Sequence, residues 1–416
     1  MAYEQRVVDA ELRQLLCATG CVVVEGPKAV GKTETSRQIA ASVVQLDTDA
    51  NARQLAAADP GLLLSGDAPR LIDEWQLAPS LWNYVRREVD DRGRPGQFIL
   101  TGSAVPADDT SRHTGAGRMA RLRMRPMTLL ESGHSSGDVS LSALLAGSGP
   151  RAADTGLTVA GVIDRICVGG WPQFTKLDPA DAQRAMRAYL DEITRTDIHR
   201  VDGVRRDPGR VRRVLRSLAR HTATSTSNRN LAADAGGADG PLERDTVREY
   251  VAALERLMIV EDVPAWAPTL RSRARLRSAD IHHFVDPCVA VAALRGSPAS
   301  LLNDLEFVGF LFESLVVRDL RVYLQPTGGK VLHYRDSNDL EVDVILETDD
   351  GRWAAVEVKV GAGQVDAAAR TLQKFAEVVD TTRLGKPAFL AVVTATGYGF
   401  TRDDGVHVLP IGTLGP

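Results

Sequence analysis

Residues 21–35 read CVVVEGPKAVGKTET: an apolar run from Cys21 to Val24, then Gly26, four further residues, Gly31-Lys32-Thr33 and a helix-forming stretch. A strand, a glycine-bounded loop and a helix in that order are the parts of a phosphate cradle at the edge of a parallel sheet. The glycines let backbone N–H groups curl around phosphate oxygens, and the helix N-terminus adds its dipole. Lys32 can reach the β and γ oxygens, and Thr33 can hold Mg²⁺. Gly26, Pro27, Lys28, Ala29, Val30, Gly31, Lys32, Thr33 and Glu34 are therefore expected around ATP.

Two later segments complete such a site. In PRLIDEWQ, Leu71 and Ile72 lead a strand into Asp73 and Glu74. A carboxylate at that strand end can hold Mg²⁺ through water, and the next one can polarise the attacking water. GQFILTGSA is a second buried-type strand, ending at Thr101 and Ser103, where a small polar side chain can sense the γ-phosphate or place a water. Thr-Gly-Ser is equally ordinary turn chemistry.

At 416 residues the chain is long for a single core. Its 44% hydrophobic and 25% charged composition is that of a globular protein, and no apolar run approaches the ~18–20 residues of a membrane span. The opening MAYEQRVVDAELRQLL lacks the apolar core of a signal peptide, so a cytoplasmic setting is expected. Cys17, Cys21, Cys167 and Cys288 lack the paired spacing of a zinc site and read as reduced thiols. The net charge of −4 excludes a uniformly basic nucleic-acid glove. Arginine is nevertheless concentrated in 112–126, 204–221 and 271–277, as solvated faces or as anion contacts.

Past the first sheet, residues 131–156 read as an exposed connection around one short helix. VGGWPQF has turn chemistry, and AQRAMRAYLDEITRTDIHRV has helical apolar spacing. Short helices follow from Arg210. One starting near Glu243 to Asp245 carries Val247, Tyr250, Val251, Leu254 and Leu257 on one face, and Ile259 to Trp266 can form a β wing. The succession resembles a winged helix-turn-helix with 244–257 as recognition helix, and Arg244, Arg248 and Arg256 as phosphate or base contacts. Winged helices also serve as structural or docking modules. His282 and His283, in HHFVDP, read as an interdomain segment and not as ligands.

The C-terminal third begins with a helix, LEFVGFLFESLVVRDLRVYL, having Phe307, Phe310, Leu311, Leu315 and Leu320 at helical spacing and Glu313 one step round. Strands are expected near 331–334, 341–347 and 353–360, the last two joined by the turn TDDGR, and then a helix over 366–379 and a strand over 387–395. Asp343 with Glu357 and Lys359 aims two carboxylates and an ammonium at one place. The carboxylates can share Mg²⁺ or Mn²⁺, and Lys359 can position the metal-bound water. The bland alternative is that Glu357 and Lys359 are cross-strand surface charges and Asp343 pairs with an arginine such as Arg335.

The phosphate loop, Asp73-Glu74 and Ser103 resemble the Walker A, Walker B and sensor positions of AAA-type P-loop ATPases. Spacing assigns no arginine finger; Arg112 and Arg118 are only candidates, and a finger would stabilise transition-state charge in cis or from a neighbouring subunit. The αβββαβ order and the Asp343…Glu357-Val358-Lys359 spacing resemble the PD-(D/E)XK arrangement of restriction-endonuclease-like domains, in which Glu313 falls where an additional acidic ligand often lies. The whole chain resembles a prokaryotic family of predicted AAA-type ATPases fused to a C-terminal domain of unknown function with nuclease-like motifs. The fold class expected is thus multidomain α/β: an AAA-like core over 1–155, a helical lid over 156–208, a winged helix over 209–267 and a nuclease-like domain over 268–416. The resemblance implies ATP binding and hydrolysis, and nucleic-acid processing with DNA favoured over RNA, by a monomer or homo-oligomer. The alternative is an ATP-driven regulatory or toxin–antitoxin-like defence switch whose nuclease-like domain is silent and binds DNA or a protein partner.

Overall fold

The computed structural model describes residues 3–103, 114–237, 240–267 and 280–416. They pack as two units, one of residues 1–126, 196–205 and 253–258, the other of residues 127–195, 206–252 and 259–416. Among the described residues no helix is long and apolar enough to cross a membrane.

The first unit is built on β1 (Cys21–Glu25), β2 (Ser42–Gln45), β3 (Arg70–Asp73), β4 (Phe98–Gly102) and β5 (Met119–Arg123). They form one parallel sheet in the order β2-β3-β4-β1-β5. Continuous apolar runs such as Cys21 to Val24 and Phe98 to Leu100 suit strands covered on both faces, and these residues are fully buried. Helices Val8–Ala18 and Leu81–Arg92 pack against β1. The decisive feature is that β4 lies between β1 and β3, so the phosphate loop and the Asp73 strand end flank the end of β4. The helix after the loop is short, Lys32–Arg37, and closes in a turn at Gln38 and Ile39.

The second unit contains the C-terminal sheet. Its first pair of strands is unexpected: β6 (Val139–Ser140), inside the segment read as an exposed connection, pairs in parallel with β13 (Leu414–Gly415). The adjoining helix Leu141–Leu145 buries Leu141, Leu144 and Leu145. Pairing across nearly the whole chain leaves no local trace in sequence. The main sheet comprises β7 (Lys330–Arg335), β8 (Glu341–Glu347), β9 (Trp353–Lys359), β10 (Leu390–Thr394), β11 (Phe400–Thr401) and β12 (His407–Pro410), in the order β11-β12-β10-β9-β8-β7. β7, β8 and β9 are antiparallel, whereas β9, β10 and β12 run parallel. Helix Leu305–Leu324 precedes β7, and helix Val365–Val378 lies between β9 and β10, so the chain follows the helix, three strands, helix, strand order read from sequence. The first of these helices is buried nearly all round from Ser314 to Leu324, while Phe307 and Phe310 are only partly covered. A single apolar stripe was too narrow an expectation, because this helix is sandwiched between the sheet and other helices.

Helices Pro208–Arg220, Asn228–Asp234 and Arg244–Arg256 belong to the middle of the chain. Val247, Tyr250, Val251, Leu254 and Leu257 are buried, as their spacing required. The expected wing strand forms isolated bridges only, Val260 with Phe284 and Val263 with Ile281, and Thr224 bridges His282. The arginine run 271–277 lies outside the described residues.

Arg318, almost wholly buried, ties the second unit together. Its Nη1 donates to Asp286 Oδ2 at 2.7 Å and its Nε to Asp319 Oδ1 at 2.8 Å. Asp286 also accepts from the backbone N–H groups of Gly170 and Cys288, and Asp319 from that of Leu129. The HHFVDP segment therefore serves as an anchor, with Asp286 also capping helix Pro287–Leu294. Removing one member of a buried ion pair leaves the other charge uncompensated, at a cost of about 3–5 kcal/mol. Arg318→Met is expected to destabilise this unit by about that amount in urea unfolding followed by tryptophan fluorescence; an unchanged midpoint would show that the network is not a major stabiliser.

Candidate functional site

The phosphate loop leaves β1 in a conformation that its glycines make possible. A Cβ on Gly26 would lie 2.2 Å from Met124 O, and Gly31 has φ 101°. Ala29 also has a positive φ, 61°. Lys32 is buried and curls back over the loop, its Nζ donating to Gly26 O at 2.9 Å and Pro27 O at 2.7 Å. Burial pushes its pKa down to about 8 against the opposing pull of Glu74 and Asp73. Lys28 instead pairs with Asp197 at 2.5 Å, and exposed Glu34 pairs with Arg37. Arg6 braces the loop from outside, donating to Val30 O at 2.9 Å and Arg125 O at 2.8 Å.

The end of β3 meets this loop. Thr33 Oγ1 donates to Asp73 Oδ1 at 2.7 Å, and Thr101, the register neighbour of Asp73 on β4, donates to the same oxygen. These are hard oxygen donors of the kind Mg²⁺ prefers, so the residues fit the ion. Glu74 then leaves the strand in the left-handed region, φ 56° and ψ 44°. Gln76 donates to Glu74 Oε2, and Ser103 Oγ lies 3.4 Å from the same oxygen. Burial raises the Glu74 pKa, with Lys32 pulling the other way. The structure thus brings Lys32, Thr33, Asp73, Glu74 and Ser103 together.

Arg118 is a correction for a role at its own chain's nucleotide site. It immediately precedes β5 and its backbone O accepts from Cys21 N, so it lies at the amino edge of the sheet, while the phosphate loop follows the carboxyl end of β1. Its guanidinium pairs with Asp90 at 2.6 Å. Arg112, the other finger candidate, lies outside the described residues. Sequence reading missed Gln76, Arg6 and Asp197. Gln76 was discoverable as the polar residue beside Asp73-Glu74, whereas Arg6 and Asp197 act across distances that no local pattern marks.

In the second unit Asp343 on β8 and Glu357 and Lys359 on β9 converge. Lys359 Nζ lies 3.0 Å from Asp343 Oδ2 and 2.8 Å from Glu357 Oε2, and Val358 N donates to Asp343 at 2.8 Å. Arg335 pairs with Asp339, so the bland alternative of an Asp343–Arg335 pair does not hold. Burial, then Asp343, raises the Glu357 pKa to about 8. Burial pushes Lys359 down, but the two carboxylates outweigh it and raise the ammonium pKa. Glu313, on the preceding helix, is raised well above the carboxylate range by burial and then by Asp343; its Oε1 is 4.0 Å from His283 Nε2. Glu341, two residues before Asp343 on the same strand face, feels the same cluster and was not singled out from sequence. Among the described residues, no three His, Cys, Asp or Glu side chains are gathered to hold a metal ion.

Comparison with known proteins divides the chain in three. Residues 18–132 match the AAA domain family, residues 160–300 a domain of unknown function (DUF8612), and residues 308–414 another, DUF4143. The chain carries an AAA-type domain followed by a C-terminal domain of unknown function. That match and the loop geometry support ATP binding. Uncharacterized proteins of Mycobacterium tuberculosis, Rv2008c, and of Mycobacterium bovis, Mb2031c, are each 28% identical over 367 residues, covering 86% of this chain and 74% of theirs. Among solved structures, the Walker-type ATPase PABY2304 of Pyrococcus abyssi is 12% identical with a TM-score of 0.42, covering 69% of this chain and 94% of its own. The Drosophila ORC bound to DNA is 13% identical with a TM-score of 0.21, covering 69% and 85%. Neither likeness is close enough to carry a functional inference.

A Lys32 ammonium that met bound phosphates would make nucleotide affinity pH-dependent. The polyanion selects the ammonium, so above about pH 8 binding takes up a proton that the free protein has lost. The Kd for ATP is expected to be flat near neutrality and to rise by up to roughly tenfold per pH unit above that value, as measured by titration with a fluorescent ATP analogue. A Kd that stays flat well into the alkaline range would contradict the buried-lysine account.

Proposed function

We propose that the protein is an Mg²⁺-dependent ATPase whose nucleotide state governs a nucleic-acid-binding, nuclease-like C-terminal domain. The observation that carries the ATPase part is the 2.7 Å hydrogen bond from Thr33 to Asp73 beside the buried Lys32. Mg²⁺ held by Thr33 and Asp73 would neutralise charge on the β and γ phosphates. Lys32 turns from the loop carbonyls towards the phosphate oxygens, which are stronger acceptors. Glu74, aligned by Gln76 and Ser103, accepts the proton of the attacking water, and its raised pKa suits that task better than an ordinary carboxylate. Removing a positioned general base costs about 10²–10⁴ in rate. Glu74→Gln should retain ATP binding and lose hydrolysis by roughly that factor in a phosphate-release assay; near-normal turnover would refute the assignment.

For the second unit, the chain order of helices and strands around Asp343, Glu357 and Lys359 supports a restriction-endonuclease-like reading. Asp343 and Glu357 would hold Mg²⁺ or Mn²⁺ as a two-carboxylate site, Glu313 would have to move in from its helix to join them as a further carboxylate, and Lys359 would position water for attack on a phosphodiester. The three middle helices and the bridges of Thr224, Val260 and Val263 support a winged-helix reading. Arg244 and Arg248 are exposed on its last helix, although Arg248 pairs with Asp245, and Arg256 is held by Asp202.

A second reading, a regulatory or defence switch with a silent nuclease-like domain, is favoured by the placement of Lys359 Nζ between the two carboxylates. Metal-dependent cleavage of DNA and RNA, with and without ATP, separates the two. Cleavage lost in Asp343→Ala with ATP turnover intact supports the nuclease reading; no cleavage under any metal, with ATP hydrolysis normal, supports the switch.

A further inference from the structure

In the second unit, six arginines converge on one cleft of about 590 Å³: Arg184, Arg187, Arg195, Arg212, Arg216 and Arg295. They come from three places. Arg184 and Arg187 lie on helix Pro179–Glu192 with Arg195 just beyond it, Arg212 and Arg216 on helix Pro208–Arg220, and Arg295 ends helix Pro287–Leu294. The third helix packs against the other two, which fixes the spacing of the guanidiniums. A neighbouring depression of about 410 Å³ shares Arg184, Arg187 and Arg295 and continues past Gly296, so the basic surface is elongated.

Only two of the six are neutralised at close range, Arg184 by Asp181 and Arg212 by Asp191 at 3.0 Å. Among the described residues no ion-pair partner meets Arg187, Arg195, Arg216 or Arg295. In a chain of net charge −4, four such guanidiniums line one hollow whose acidic lining residue, Asp191, is already paired with Arg212, so they repel one another with little compensation. A multiply charged anion would relieve that repulsion, and arginine's planar fork matches phosphate oxygens. No aromatic side chain lines either hollow, so the surface offers charge and no stacking platform.

We infer that this cleft binds the phosphodiester backbone of a nucleic acid, without reading its bases. The inference deepens the nucleic-acid reading above and rests on it, but assigns the contact to a surface separate from helix Arg244–Arg256 and from the Asp343 cluster.

The test is fluorescence anisotropy of the full chain with labelled mixed-sequence single-stranded DNA, duplex DNA and RNA, in EDTA to prevent cleavage. Each phosphate contact contributes about 0.7–0.9 to the slope of log K against log salt. A variant carrying Arg187→Gln, Arg216→Gln and Arg295→Gln should lose about 2–3 from that slope and bind at least tenfold more weakly. The corresponding triple lysine variant should keep most of the slope, and both should keep the wild-type urea-unfolding midpoint by tryptophan fluorescence, which excludes misfolding of the second unit. The nucleic acid bound most tightly identifies the natural backbone. Unchanged binding in the glutamine variant overturns the inference, as does equal competition by polyglutamate, which would point to an acidic protein. Loss only in Arg244→Gln with Arg248→Gln would sink the cleft while leaving the nucleic-acid reading standing. No binding by the wild type would sink both.

Discussion

A guanidinium taken out of water must be met by opposite charge, and in this protein the buried Arg318 is met by Asp286 and Asp319. The two carboxylates then accept backbone N–H groups from Gly170, Cys288 and Leu129, so one charge cluster fastens four stretches of chain far apart in sequence. Helix Leu305–Leu324, which carries Arg318, is thereby held in place beside β9, and Glu313 on the same helix is held near the carboxylates of the sheet. The chemistry proposed for the second unit depends on that positioning. A pair of charges on adjacent strands becomes a confined cluster only when a fixed helix closes over it and removes water.

The first unit works by a different constraint, the insertion of β4 between the strand bearing the phosphate loop and the strand bearing Asp73. In a parallel sheet all strand ends share one edge, so this order lets Thr33 reach across to Asp73 while Thr101 and Ser103 address the carboxylates from between. The left-handed backbone at Glu74 redirects its side chain to Gln76 and Ser103, a conformation that is uncommon for a residue with a Cβ. Ala29 and Glu74, two of the six non-glycine residues with positive φ among the described residues, lie in the phosphate loop and at the end of β3.

The residues gathered around the phosphate loop were legible as a candidate site because its parts are local. Glycine spacing, an adjacent lysine and threonine, and a carboxylate pair at the end of an apolar run each follow from backbone needs within a few residues. The C-terminal strands and their polar trio were legible for the same reason, through two-residue alternation and a hairpin turn. Arg118 was misread because spacing along the chain does not say which edge of a parallel sheet a residue occupies. The segment around Val139 was read as a connection because its partner, Leu414, lies at the other end of the sequence. Of the arginines of the basic cleft, Arg212 and Arg216 lay in a run visible in sequence while Arg184, Arg187, Arg195 and Arg295 did not, and a run does not reveal which guanidiniums face one another.

By itself, then, the sequence determined the phosphate loop, the polarity of Asp73-Glu74, the order of helices and strands in the last third, and the residue types of the Asp343 cluster. All of these depend on chain-local geometry: the φ freedom of glycine, the two-residue strand repeat and the helical period. Only the tertiary structure decided that Lys32 is buried against its own loop, that Lys359 bridges both carboxylates, that Asp286 anchors Arg318, and that arginines from three helices share one hollow. Those outcomes depend on which distant segments exclude water from a charge, and desolvation is a property of packing, not of residue order.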